Sequence, residues 1–261
     1  MPFESWILGE ILVKWFFQNL GGRAAFALKN PRYATLSLLG ELTHSDEKFL
    51  ARITRSSPQD IRGHLNEPIS MPEFAEHLRS ARDEFRSLAI TSADLFAKKV
   101  LYQYAVARAL KPACILETGI ANGVSSTYLL LALQKNGVGQ LHSVGLADPA
   151  FLPAGKQPGW LVPDWLRDRW QVHLGDAREI LPRLLSRLGR VNLFIHDSLH
   201  SYDHMLWEFQ TVYHYQQPGD LLCADDALWN DAFTNFARQV NEPDARILHG
   251  VGFLRKSRNS P

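Results

Sequence analysis

From Thr91 onward the chain alternates short apolar runs with amphipathic stretches, and this constrains the fold more than any other feature. The apolar runs read as strands at Ala113–Glu117, Gln140–Val144, Trp170–Leu174, Val191–His196 and Asp220–Ala224. Helical patterns over about 92–110, 125–134, 177–188, 202–216 and 232–240 separate or flank them, and two closing strands, 245–249 and 251–255, turn around Gly250. Such alternation predicts a mostly parallel sheet with helices on both faces. In a sheet of that kind ligands bind beyond the carboxyl ends of the strands, so the residues just after each strand carry the functional information.

Residues 1–90 differ. They show helical periods broken by turn signals: Ser57-Pro58-Gln59-Asp60 is a capped helix start, Pro72-Glu73 opens another helix to about Leu88, and Asn30-Pro31 and Glu67-Pro68 read as breaks. We therefore expect an N-terminal helical extension over 1–90 and a main domain over 91–261. Ser5–Gln18 is rich in Trp, Phe, Leu and Ile, but is too short for a membrane span and is interrupted by Glu10 and Lys14. It reads as a helix packed on the core or on a second copy of the chain; the alternative is peripheral contact with a membrane surface.

Bulk properties exclude some partners. A net charge of +1, with no basic tract interleaved with aromatics, gives no footprint for nucleic acid. The two cysteines, Cys114 and Cys223, each fall in an apolar strand and have no metal or redox spacing, so a reducing, cytoplasmic setting is expected.

The strand ends are chemically rich. The first reads Cys114-Ile115-Leu116-Glu117-Thr118-Gly119-Ile120-Ala121-Asn122-Gly123, a strand ending in an acid and running through two glycines into a helix that begins with Ser125 and Ser126. Its E-x-G-x-x-x-G pattern is not the dinucleotide fingerprint. The second strand ends at Val144-Gly145 with Asp148 three residues on, and the third at Gly175-Asp176-Ala177, where Asp176 also suits a helix cap. The fourth ends at His196-Asp197-Ser198-Leu199-His200-Ser201-Tyr202, and the fifth at Asp225-Asp226-Ala227-Leu228-Trp229-Asn230. An isolated Asp-Asp pair is commonly a solvated turn. Behind a buried strand and beside another strand-end aspartate, the pair needs charge compensation, which a hard divalent cation provides.

These motifs resemble class I S-adenosylmethionine (SAM)-dependent methyltransferases. The D-x-x-H-x-Y and Asp-Asp pair resemble metal-dependent O-methyltransferases of the macrolide-sugar type and, more distantly, the catechol and caffeoyl-CoA type. The similarity runs over roughly 95–256. It implies a Rossmann-like seven-stranded α/β sheet and a methyl transfer from SAM to a hydroxyl of a sugar, glycoconjugate or related polyol. By motif position, SAM contacts would fall at Glu117, Gly119, Asn122, Gly123, Ser125, Ser126, Asp148, Asp176 and Ala177. Asp197, Asp225 and Asp226 would ligate Mg²⁺ or Mn²⁺. His200 would be the general base, with Asp197 also in the catalytic set. The sequence departs from the family at Gly145, where an acid usually accepts from the ribose hydroxyls. An aromatic diol acceptor, or a non-catalytic SAM-binding scaffold, are the other readings. A homo-oligomer is expected. His196 reads as structural, because strand alternation turns it away from Asp197. The Pro- and Gly-rich segment 146–168, with Trp160 and Trp165, reads as a lid or binding loop.

Overall fold

The computed structural model describes residues 45–88, 93–148 and 152–258. The expected helix at 5–18, the break at Asn30-Pro31 and residues 149–151 of the 146–168 segment lie outside them. The chain divides into two compact units between Asp46 and Glu47, and the whole sheet belongs to the larger, C-terminal one.

Three helices lead in: α1 (Ser45–Thr54), α2 (Pro58–Ser70) and α3 (Pro72–Ser87). The start of α2 is the expected one. Ser57 Oγ accepts from the Asp60 amide while Asp60 Oδ2 accepts from the Ser57 amide, satisfying two donors at the helix end. The break expected at Glu67-Pro68 does not occur there. Pro68 lies inside the last turn of α2, where the helix ends two residues later and little of the hydrogen-bond ladder is lost. The stretch before the first strand also differs from expectation: a short 3₁₀ turn (Ala93–Phe96) precedes α4 (Lys98–Leu110), which stops at Lys111 in a left-handed conformation.

The rest alternates as read: β1 (Cys114–Thr118), α5 (Val124–Asn136), β2 (Gln140–Gly145), β3 (Trp170–Leu174), α6 (Ala177–Leu188), β4 (Leu193–His196), α7 (Tyr202–Tyr213), β5 (Leu221–Ala224), α8 (Ala232–Gln239), β6 (Arg246–Leu248) and β7 (Val251–Arg255). The sheet has the order β3-β2-β1-β4-β5-β7-β6, with β7 antiparallel to its neighbours and the first five strands parallel. Strand order reverses between β1 and β4, which opens a crevice at their carboxyl ends.

Strand alternation divides the core in two. Ile115, Leu193, Ile195, Leu221 and Cys223 face a cluster shared with α4, α5 and the leading helices. Leu116, Phe194, Leu222 and Ala224 face a second cluster with α6, α7 and α8. Helix α5 is buried from Ser125 to Leu133, which accounts for its nearly uninterrupted apolar run.

No helix among the described residues is long and apolar enough to cross a membrane.

Candidate active site

The register brings the informative residues to one edge. The amide of Gly119 donates to Val144 O, that of Asp197 to Thr118 O and that of Asp225 to His196 O, each at 2.8 Å. The ladder thus continues one residue past each strand, and Gly119, Asp197 and Asp225 emerge side by side. Gly119 has φ +92°, and a Cβ there would lie 1.8 Å from the Asp197 carbonyl oxygen. The first glycine of the motif is therefore what lets β1 and β4 part so closely.

Gly123 answers to a different neighbour. A Cβ on it would meet the Gly159 Cα at 2.7 Å. Residues 159–162 lie across the turn: the Gly159 amide donates to Ala121 O at 2.8 Å, the Leu161 amide to Asn122 O at 3.1 Å, and Trp160 Nε1 to Asn122 Oδ1 at 2.8 Å. The Lys156 ammonium sits 4.3 Å over the Trp160 ring. Trp160 thereby acts on the glycine turn through Asn122, while Trp165 packs against the core.

Glu117 is fully buried, and both its oxygens are taken by hydroxyls: Ser125 at 2.6 Å, Ser126 at 2.6 Å and Ser143 at 2.7 Å. Burial raises its pKa, against the hydrogen bonds from the serines. It ties β1, β2 and the start of α5 together, and does not itself line the cavity in front of the turn. That cavity, of ≈ 120 Å³, is lined by Lys99 and Gln103 of α4, Ile120–Ser125, Asp197 and Asp225. Gln103 is only 2% exposed and its Oε1 has no hydrogen-bond partner among the described residues. A buried amide oxygen without a partner beside an open space fits a ligand donor.

The departure at Gly145 has a packing cause. A Cβ there would come within 2.9 Å of Ile120 Cγ1 and 3.1 Å of the Ile120 amide. Asp176 caps α6, accepting from the Arg178 amide at 2.7 Å, and Ala177 begins that helix. Asp148 is half-buried just past β2.

Beside Asp197, the buried His200 Nε2 lies 3.8 Å from Asp197 Oδ1 and 3.8 Å from Asp226 Oδ2, and makes no hydrogen bond among the described residues. Burial, with His196 nearby, lowers its pKa to about 4. The imidazole is thus neutral at ordinary pH and able to accept a proton. Trp229, 70% exposed, stands over it with ring centroids 5.2 Å apart. Asp226 holds φ +49°. Enclosure first, and then the Asp225 charge, push the Asp197 carboxyl well above its usual range. Lys99 Nζ is 2.7 Å from Asp225 Oδ2. Among the described residues no group of three or more His, Cys, Asp or Glu side chains is arranged to hold a metal ion.

Behind His200 lies a buried network that no sequence motif announces. Glu208 of α7 is fully buried and accepts from Thr118 at 2.6 Å and Ser198 at 2.9 Å, and pairs with His196 Nδ1 at 2.6 Å and His204 Nε2 at 2.9 Å. His196 points inward, as alternation requires, and its ring meets that of His200 edge-on at 5.3 Å.

Residues 116–227, which hold every one of these strand ends, match the family model described as a methyltransferase domain. The chain carries a methyltransferase domain. Solved structures share its fold. The O-methyltransferase TomG from Streptomyces achromogenes, involved in tomaymycin synthesis and solved with SAM, is 20% identical, with TM-score 0.54 over 70% of this chain and 90% of that one. An O-methyltransferase from Bacillus cereus, solved with SAH, is 14% identical, with TM-score 0.52 over 69% and 91%. CalS11, a TDP-rhamnose 3'-O-methyltransferase of calicheamicin biosynthesis, is 18% identical, with TM-score 0.50 over 71% and 95%. The chain has no significant sequence match among curated proteins. In the methyltransferase domain the glycine turn and its cavity occupy the crevice where strand order reverses.

Proposed function

We propose that the domain transfers a methyl group from SAM to a hydroxyl of a sugar, glycoconjugate or related polyol. The observation that carries this reading is His200. Its Nε2 is neutral and enclosed, makes no hydrogen bond among the described residues, and lies 3.8 Å from the carboxylates of both Asp197 and Asp226. TomG and the Bacillus cereus protein, solved with SAM and SAH, support the cofactor, and CalS11, named for a sugar hydroxyl, supports the acceptor class.

The glycine turn, the amides opening α5, Asn122 and Gln103 would hold SAM, which supplies an electrophilic methyl group when bound. The residues do the rest. Trp229 offers a flat face on which an acceptor ring can lie beside His200. His200 Nε2 takes the hydroxyl proton as the oxygen–carbon bond forms and the carbon–sulfur bond breaks. Asp197 and Asp226 stabilise the imidazolium that results. Enclosure by Asn122 and the 159–162 strap orients the reactants, the remaining large contribution.

Asp197, Asp225 and Asp226 are oxygen donors of the kind Mg²⁺ or Mn²⁺ takes, but among the described residues they are not arranged around an ion, and Lys99 already pairs with Asp225.

Purified protein incubated with methyl-labelled SAM and either sugar acceptors or catechols, with and without Mg²⁺, tests the proposal. Label in a sugar ether, lost in His200→Ala, is expected. Label only in catechols would move the acceptor to the aromatic class, and SAM binding without transfer to either would favour a scaffold.

A further inference from the structure

Asp225 and Asp226 are adjacent in the chain and turn apart. The Asp225 side chain is 3% exposed, and its Oδ2 meets the Lys99 ammonium at 2.7 Å. The Asp226 side chain is 35% exposed, with φ +49°, and its Oδ2 lies 3.8 Å from His200 Nε2. The two carboxylates therefore serve different neighbours, a lysine and an imidazole, and do not converge with Asp197 on one point.

The lysine comes from outside the strand ends. It stands in the first turn of α4, 126 residues before Asp225. Lys99, Asp197 and Asp225 line the cavity in front of the glycine turn. A buried carboxylate is tolerated where it is both paired and hydrogen-bonded. The ammonium supplies both in one charge-assisted hydrogen bond. It also opposes the entry of a second cation, since like charges repel strongly in an enclosed site. Being part of the chain, it needs no capture from solution.

We propose that Lys99 is the site's own cation: it takes the place at Asp225 that a divalent ion would take, and the site works without a metal. This rests on the methyl-transfer reading and departs from the metal dependence that the motifs imply. Asp225 is then the partner of Lys99 and not a metal ligand. His200 takes the acceptor proton from a hydroxyl that no metal coordinates.

The test uses the full chain at fixed pH, with Mn²⁺ uptake read by electron paramagnetic resonance of the free ion and melting followed in EDTA. Wild type is expected to leave millimolar Mn²⁺ free. Lys99→Met is expected to melt roughly 5–10 °C below wild type, because the Asp225 charge is left buried without its partner. In an Asp225→Asn background the same substitution is expected to cost little, since no charge remains to be compensated. Lys99→Gln serves in the same cycle should the methionine variant fail to fold. With an acceptor that takes label, transfer is expected to run equally fast in EDTA and in Mg²⁺. Saturable Mn²⁺ uptake by wild type that Asp225→Asn abolishes would overturn the proposal. So would equal losses from Lys99→Met in both backgrounds, or label transfer that needs Mg²⁺. SAM titrated in EDTA reads the methyl-transfer site separately. SAM binding together with Mn²⁺ uptake at Asp225 would overturn the role of Lys99 alone, whereas no SAM binding would overturn the reading beneath it.

Discussion

Replacing Glu208 with glutamine probes the buried support of the site. The carboxylate accepts two partners at each oxygen: Thr118 and His196 at Oε2, Ser198 and His204 at Oε1. An amide has one acceptor oxygen, so in either orientation its NH₂ faces one hydroxyl and one imidazole. The hydroxyl can rotate to accept, whereas the ring that donated to the carboxylate cannot without changing tautomer. One charge-assisted hydrogen bond is then lost outright, about 1.5–3 kcal/mol, and a second is weakened. Linkage gives a similar figure. Burial alone would raise the Glu208 pKa, but His196 and His204 hold it down from 4.5 to about 2. That shift corresponds to ~3 kcal/mol at neutral pH. Because the folded pKa is depressed, this stability is fully present above the ordinary glutamate value and is lost as the pH falls through about 2. For a unit of this size ~3 kcal/mol corresponds to a melting point lower by roughly 6–12 °C. Urea denaturation at pH 7 and again at intervals from pH 5 to 2 measures both. Wild type should lose stability across that acid range and Glu208→Gln should lose ~3 kcal/mol less. A variant within about 0.5 kcal/mol of wild type at pH 7, with the same acid slope, would mean that the Glu208 network does not carry this stability.

Three further outcomes are expected. Gly119→Ala should cost more than ~3 kcal/mol or prevent folding, since backbone rather than a side chain blocks its Cβ; Gly137→Ala, also at positive φ but in open space, should cost only about 1 kcal/mol, and equal losses in denaturation would contradict the close approach. His200→Ala should lower turnover by roughly 10²–10⁴ while SAM affinity stays within a few-fold; wild-type turnover in a methyl-transfer assay would remove His200 as base. Trp160→Leu removes the bond to Asn122 and the ring under Lys156, and should weaken SAM binding by about tenfold in calorimetry; unchanged affinity would show that the strap does not shape the cofactor site.

The sheet was legible because strands buried on both faces read as apolar runs, and their ends carry acids and glycines in short local patterns. Asp197 and His200 share one turn, and Asp225 and Asp226 another, so spacing along the chain sufficed. What joins these turns comes from elsewhere. Lys99 and Gln103 lie on a mostly apolar helix that is buried from Tyr102 to Ala107, and no local spacing connects Lys99 with Asp225. Glu208 left a trace, an acid between Trp207 and Phe209 in an otherwise apolar helical stretch, but its partners are spread over Thr118, His196, Ser198 and His204. Glu117 was legible as a strand-end acid, though not as the acceptor of three serine hydroxyls. Gly145 looked like a missing ribose ligand; the space it leaves is filled by Ile120, a contact across two strand ends that one sequence does not display. Pro68 read as a break because proline stops helix interiors, whereas its cost at a final turn is small.

Methyl transfer in the crevice between β1 and β4 requires SAM to bind there. Titration of SAM into the full chain by calorimetry, beside a Gly123→Val variant, tests it most directly. A Cβ on Gly123 would run into Gly159 and Val162, so the variant displaces the strap from the glycine turn. Saturable one-to-one binding by wild type and its loss in the variant are expected, with circular dichroism showing both proteins folded. No binding by folded wild type, or equal binding by both proteins, would contradict a SAM site in the crevice.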